Sequence, residues 1–144
     1  MIEERLNLLF AELRELTGVQ DIAYHRLANG RLHPVLKTNT DKLGIERWKS
    51  VHAEGPVYIA RDRLLSDLAA NPRPAAVQDV KNDERSADEF FLFGIDSLLV
   101  IPVMKSARVE GIVVIASIGE PHFFGEKEIE EATRIVEKYK ETIA

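Results

Sequence analysis

Asp96-Ser-Leu-Leu-Val-Ile-Pro-Val-Met-Lys-Ser-Ala-Arg-Val-Glu-Gly-Ile-Val-Val-Ile-Ala-Ser-Ile118 is the stretch that decides the fold. Two runs rich in β-branched residues, Leu98–Val103 and Ile112–Ile118, flank the polar Lys105-Ser106-Ala107-Arg108, which is the pattern of a hairpin. Neither run alternates between apolar and polar residues, so apolar side chains point to both faces of the strands. Such strands lie at the centre of a sheet and need cover above and below. Both covers have to come from the rest of the chain.

With 144 residues the chain has the length of a single domain, expected over 1–144, and enough residues for a substantial core. At 45% hydrophobic and 30% charged residues the composition is that of an ordinary globular protein, and no apolar stretch approaches the ~18 residues of a membrane span. The acidic opening Met1-Ile2-Glu3-Glu4-Arg5 runs straight into an amphipathic pattern and has none of the marks of a secretion signal, so a cytoplasmic location is expected. Cysteine is absent, which rules out disulfides, thiolate metal sites, thiol nucleophiles and thioether-linked chromophores. A net charge of −5, with lysines and arginines interleaved among acids as in Glu126-Lys127-Glu128, argues against a nucleic-acid partner.

Outward from the ribbon, Ile2, Leu6, Leu9, Leu13 and Leu16 recur at spacings of four and three, which predicts a helix ended by Thr17-Gly18. Val19–Leu27 and Arg31–Lys37 flank Asn29-Gly30, the dipeptide of a tight type I′ turn, and predict a second hairpin. In its second arm Leu32, Pro34 and Leu36 alternate with polar residues, and the proline places that arm at a sheet edge. The long connection from Thr38 to Asn71 is expected to carry helices over Asp41–Ala53 and Arg61–Ala70, with Val57–Ala60 either a short strand or helical. Arg73–Val80 reads as a short extended segment, and Ser86-Ala87-Asp88-Glu89 has the form of a capping box opening a small helix that stops at Gly94. A last helix follows Phe123-Phe124-Gly125. Acidic residues crowd its first turns, and its seam is Ile129, Ala132, Val136, Tyr139 and Ile143.

The order helix, hairpin, helical connection, extended segment, small helix, apolar hairpin, helix resembles that of the GAF domain family, small-molecule sensor modules. The residues that carry the resemblance are Asn71–Val80, Phe93–Val103, Val109–Ser117 and Phe123–Glu128. The resemblance implies an α+β fold of the GAF/PAS kind. A central antiparallel sheet of five or six strands would carry the N- and C-terminal helices on one face and the variable helices and loops on the other, around a pocket. Members that attach a bilin, or reduce free methionine sulfoxide, use cysteine, and this chain has none. The Asn-Lys-Phe-Asp-Glu signature of cyclic-nucleotide-binding members finds no ordered match.

Pockets need apolar walls with a few converging polar groups. Trp48, Tyr58, Phe90 and Phe91 are candidates for the wall, and Asp79, Asp96 and Ser97 for the polar contacts, against the plainer reading that the aromatics are core and Asp79 caps a turn. Of the four histidines, His25 can look inward from a strand and His52 from a helix end, which keeps a haem-based gas or redox sensor as a further alternative, although no close-spaced metal-binding motif is present. No catalytic motif occurs, and no enzyme is expected. Ile2, Leu8, Phe10 and Tyr139 are candidates for a helical homodimer interface. The primary expectation is a regulatory domain that binds an unidentified small molecule and signals through its terminal helices, with no cofactor named. A ligand-free dimerisation module is the alternative. The partner implied is a kinase, cyclase or phosphodiesterase, or transcription-regulator output domain, with no membrane.

Overall fold

The computed structural model describes residues 2–143. In chain order it contains α1 (Ile2–Thr17), β1 (Asp21–Ala28), β2 (Arg31–Lys37), α2 (Ile45–Glu54), α3 (Arg63–Ala70), β3 (Ala75–Val77), α4 (Asp88–Leu92), β4 (Ile95–Lys105), β5 (Arg108–Ile118) and α5 (Glu126–Ile143). The strands form one five-stranded sheet in the order β2-β1-β5-β4-β3, and every neighbouring pair is antiparallel. The apolar ribbon is the β4–β5 hairpin, next to the middle of the sheet.

Alternate residues of the central strands serve two different cores. Leu99, Ile101 and Val103 of β4 and Val113 and Ile115 of β5 pack with Leu6, Leu9, Phe10 and Leu13 of α1 and Ala132, Val136 and Ile143 of α5. Leu98 and Val100 of β4 and Ile112 and Ala116 of β5 pack on the other side, with Leu64, Leu65 and Leu68 of α3 and Phe90 of α4. The terminal helices also bind each other directly. Lys138 donates to Glu12 at 2.6 Å, the Tyr139 hydroxyl donates to the same carboxylate, and the Arg5 guanidinium lies 5.5 Å from the centre of the Tyr139 ring. Gln78, just after β3, exchanges two hydrogen bonds with the backbone of Phe124, at 2.8 and 2.9 Å, and so ties the sheet edge to the start of α5.

Local expectations from the sequence fared unevenly. Asn29 and Gly30 both have positive φ, as a type I′ turn requires, and Ser106 and Ala107 do the same work in the β4–β5 turn. Gly44 stands outside α2, at its N-cap, and α3 begins only after Asp62, whose side chain accepts from the Leu65 amide. Val57–Ala60 contributes a single bridge, Tyr58 to Arg31, before a 3-10 turn at Ile59–Arg61. The capping box does not form: Ser86 Oγ donates to the Val80 carbonyl, and the N-cap is Ala87 with no side-chain bond. In β2 the expected alternation breaks because Val35 bulges between Leu36 and Pro34, which pair with Tyr24 and His25. The bulge turns Leu36 toward the terminal helices and buries Lys37 on the opposite face.

Gly111 of β5 has no room for a side chain against β1. A Cβ there would lie 2.7 Å from the His25 carbonyl oxygen and 2.5 Å from the Tyr24 hydroxyl. The carbonyl belongs to the ladder and cannot swing away. Gly111→Ala is therefore expected to destabilise the protein by about 2 kcal/mol or more, read from urea unfolding, while Ala107→Gly at a positive-φ turn position is expected to be neutral or stabilising.

Candidate functional site

Between the sheet and the middle helices lies an internal cavity of about 70 Å³, several times the ~10–15 Å³ that one water occupies on the same measure. Its floor consists of the residues of the central strands that face away from α1 and α5: Ala23 and His25 of β1, Leu98 and Val100 of β4, and Ile112, Val114 and Ala116 of β5. Its roof comes from Trp48 and His52 of α2, Leu64 and Leu65 of α3, and Glu89 and Phe90 of α4. Periodicity therefore creates the floor, and the burial of three short helices creates the roof.

The polar groups on this cavity fall into three sets. The first is a cluster of rings. The His25 ring lies 5.1 Å from that of Trp48 and 5.0 Å from that of His52, and His52 in turn lies 5.5 Å from Phe93. His25 is 4% exposed, and its Nδ1 has no hydrogen-bond partner. Burial, reinforced by the neighbouring His52, holds the His25 imidazole well below its ordinary titration range, and burial brings His52 down to about 4. Both rings are neutral at pH 7, so each offers one donor and one acceptor nitrogen.

The second set is a buried ion pair. Lys37 Nζ lies 3.3 Å from Asp21 Oδ1 and donates to the carbonyl oxygens of Thr38 and Leu43, the latter at 2.6 Å. Its three protons are thus all used within the protein. Burial lowers its proton affinity and Asp21 opposes that shift. The third set is two acidic residues on the same wall, Asp62 and Glu89. Burial, then the Asp62 carboxyl, then the Asp88 charge push Glu89 up to about 7.

Two of the seven residues expected at a pocket, Trp48 and Phe90, line this cavity. Tyr58 and Phe91 are 43% and 55% exposed. Asp79 lies at the surface and accepts from Asn82, and Ser97 accepts from the His122 amide to hold the loop before α5. Asp96 is the bulged residue between Ile95 and Ser97 and is half-buried away from the cavity. Among the four residues expected at a helical interface, Phe10 and Tyr139 belong to the core, Ile2 packs against it, and Leu8 is 50% exposed. Sequence reasoning passed over Asp21, Lys37, Asp62 and Glu89. The one available signal was Asp62, a good N-cap residue directly before the helical pattern of Arg63–Ala70.

The model of the GAF domain family matches residues 2–138. The chain belongs to the GAF family. Among solved structures, this GAF domain is similar to a GAF domain/HD domain protein from Geobacter sulfurreducens, with a TM-score of 0.79 and 18% identity over 99% of this chain and 91% of that one. GAF3 of Slr1393 from Synechocystis sp. PCC6803, solved in its photoproduct state, superimposes with a TM-score of 0.78 at 17% identity, covering 97% of this chain and 91% of the other. A type II free methionine-R-sulfoxide reductase from Thermoplasma acidophilum gives a TM-score of 0.71 at 16% identity, with 97% and 90% covered. At these identities the likeness establishes the fold. No curated protein sequence matches the chain significantly. No helix among the described residues is long and apolar enough to cross a membrane.

The two kinds of shifted group on the cavity pull stability in opposite directions with pH. Glu89 binds its proton more tightly in the folded state, so its contribution is complete below about 4.5 and is lost as the pH rises through about 7. His52 binds its proton less tightly when folded, so its contribution is lost as the pH falls from 6.5 through about 4. Glu89→Gln keeps the size and polarity of the side chain without a titrating proton. It is expected to be more stable than the parent by about 1–2 kcal/mol at pH 8 and to show no such gain near pH 4.5, in urea unfolding at both values. An equal difference at both pH values would contradict the raised proton affinity of Glu89.

Proposed function

We propose that this GAF domain acts as one sensory module that binds a small molecule in the cavity beneath α2, α3 and α4 and reports occupancy through α1 and α5. The observation that carries this reading is the unpartnered, buried Nδ1 of His25 on the wall of a cavity that the protein's own side chains leave unfilled. A buried polar atom without a partner costs about 1–3 kcal/mol, and a ligand that bonds to it recovers that cost. Strands β1, β4 and β5 are shared by the cavity and the terminal-helix core, so a ligand that prefers one position of the floor also biases the seat of α1 and α5. Couplings of ~1–3 kcal/mol are typical of such switches.

The occurrence of a GAF domain beside an HD domain in the Geobacter protein supports the expectation that the readout is an attached or associated output domain. A haem reading gains nothing from the geometry, because a cavity of about 70 Å³ leaves no room for a macrocycle. Leu8, half exposed on α1, is the residue through which two copies would pair along their terminal helices. Catalysis is not part of the reading, since Lys37 is saturated by Asp21 and two carbonyls and the cysteine chemistry of reductases is absent.

Mass spectrometry of small molecules released from the natively purified protein tests the sensor reading. A stoichiometric compound that perturbs the fluorescence of Trp48, the sole tryptophan, when it is added back is the expected result. Release of no compound, together with a protein whose Trp48 emission responds to no member of a metabolite panel, would leave dimerisation as the whole task.

A further inference from the structure

The Asp62–Glu89 pair occupies a position that its part in the cavity wall does not explain. Both residues line the internal cavity, and both also line a surface cleft formed by Gly55, Pro56, Tyr58, Arg61, Asp88 and Leu92. The two carboxyl groups therefore form the partition between the inside of the protein and its exterior. They arrive from different elements, Asp62 as the N-cap of α3 and Glu89 from the first turn of α4.

No lysine or arginine among the described residues forms an ion pair with either carboxyl. The nearby basic residues are engaged elsewhere: Arg63 with Glu84, Arg73 with Asp67, and Arg85 with Asp83. Arg61, the one basic residue on the cleft, stacks on the Tyr58 ring at 5.3 Å, and Asp88 adds a third acid beside it. Asp62 is 5% exposed and satisfies one oxygen with the Leu65 amide at 3.0 Å. Two acids on one nearly closed wall without a counter-charge are costly, and burial with the neighbouring Asp62 and Asp88 raises the proton affinity of Glu89 accordingly. At the aromatic side of the same cavity, the orphaned His25 Nδ1 is a second polar atom awaiting a partner, 4% exposed and independent of the acids. The rest of the cavity wall is largely apolar and includes Leu64, Leu65, Leu98, Val100 and Ile112.

Resting on the small-molecule reading above, we propose that the cavity selects a cationic amine. Its ammonium group sits between Asp62 and Glu89, and a short body of about three or four carbons reaches inward along the apolar wall to a polar terminus that bonds to His25 Nδ1. The ammonium supplies three donors to two carboxylates and the counter-charge that the wall lacks. The buried Lys37 does not compete for the acids, because Asp21, Thr38 and Leu43 already hold it.

The test is a fluorescence titration of Trp48 with isobutylamine and, as the neutral isostere, isobutanol, at pH 7.5 and constant ionic strength. The parent is expected to bind the amine saturably and at least about tenfold more tightly than the alcohol. Asp62→Asn retains an N-capping side chain, and Glu89→Gln retains the size and polarity of the original. Each is expected to lose about tenfold in amine affinity with the alcohol response unchanged, so that a general loss of folding is distinguished from loss of the charge. Equal affinity for amine and alcohol, or amine binding indifferent to both substitutions, would overturn the cation preference while leaving the sensor reading intact. A Trp48 emission that responds to neither probe would also overturn it, and the compound released from the native protein then decides the sensor reading separately.

Discussion

The structure depends on one constraint: the β4–β5 hairpin is apolar on both faces and must be dry on both. A strand with Leu98 and Val100 on one side and Leu99 and Ile101 on the other has no face to give to water. At roughly 25 cal/mol per Å² of buried apolar surface, leaving either side uncovered forfeits several kcal/mol, a large part of what a domain of this size has in reserve. The chain meets the demand asymmetrically. Its ends supply two long helices that pack closely with each other and with the sheet, joined by Glu12, Lys138 and Tyr139. Its middle supplies three short helices, of 10, 8 and 5 residues, which cover the other face incompletely. The cavity is the consequence of that shortfall.

The large features were legible in the sequence because each rests on periodicity or on a single turn dipeptide. The double-sided ribbon, the seams of α1 and α5 and the Asn29-Gly30 turn all follow from rules that operate within one element. What stayed hidden depends on tertiary context. Nothing in Arg31–Lys37 announces that Val35 bulges, yet that one extra residue moves Lys37 from a wet face to a buried partnership with Asp21. The Ser-x-x-Glu pattern at Ser86 to Glu89 promised a capping box. It failed because the Ser86 hydroxyl turns back to the Val80 carbonyl and the helix opens at Ala87 with no side-chain cap. Trp48 and Phe90 line the cavity, whereas Phe91 turns outward because a helix of five residues buries only one of two adjacent aromatics, and Tyr58 is exposed at its bridge to Arg31.

The polar residues on the cavity explain each other through the same low-dielectric setting. Burial keeps His25 and His52 neutral, shifts Lys37 downward against the pull of Asp21, and raises Glu89. Only the Lys37–Asp21 pair is internally satisfied. The imidazoles and the carboxyl pair are the groups left with chemistry to offer, and they are set apart by an apolar wall. A site of this form discriminates by charge and hydrogen bonding more than by area, which is what the proposed sensor role calls for.

The account stands or falls on the claim that one face of the central hairpin borders free volume while the other is solidly packed. Xenon enters dry cavities and leaves packed cores untouched. Methyl-resolved NMR under xenon pressure is the most direct test. The account predicts saturable shifts for Leu98, Val100, Ile112 and Ala116 and none for Leu99, Ile101, Val113 and Ile115. Shifts spread over both sets, or confined to the second, would contradict it.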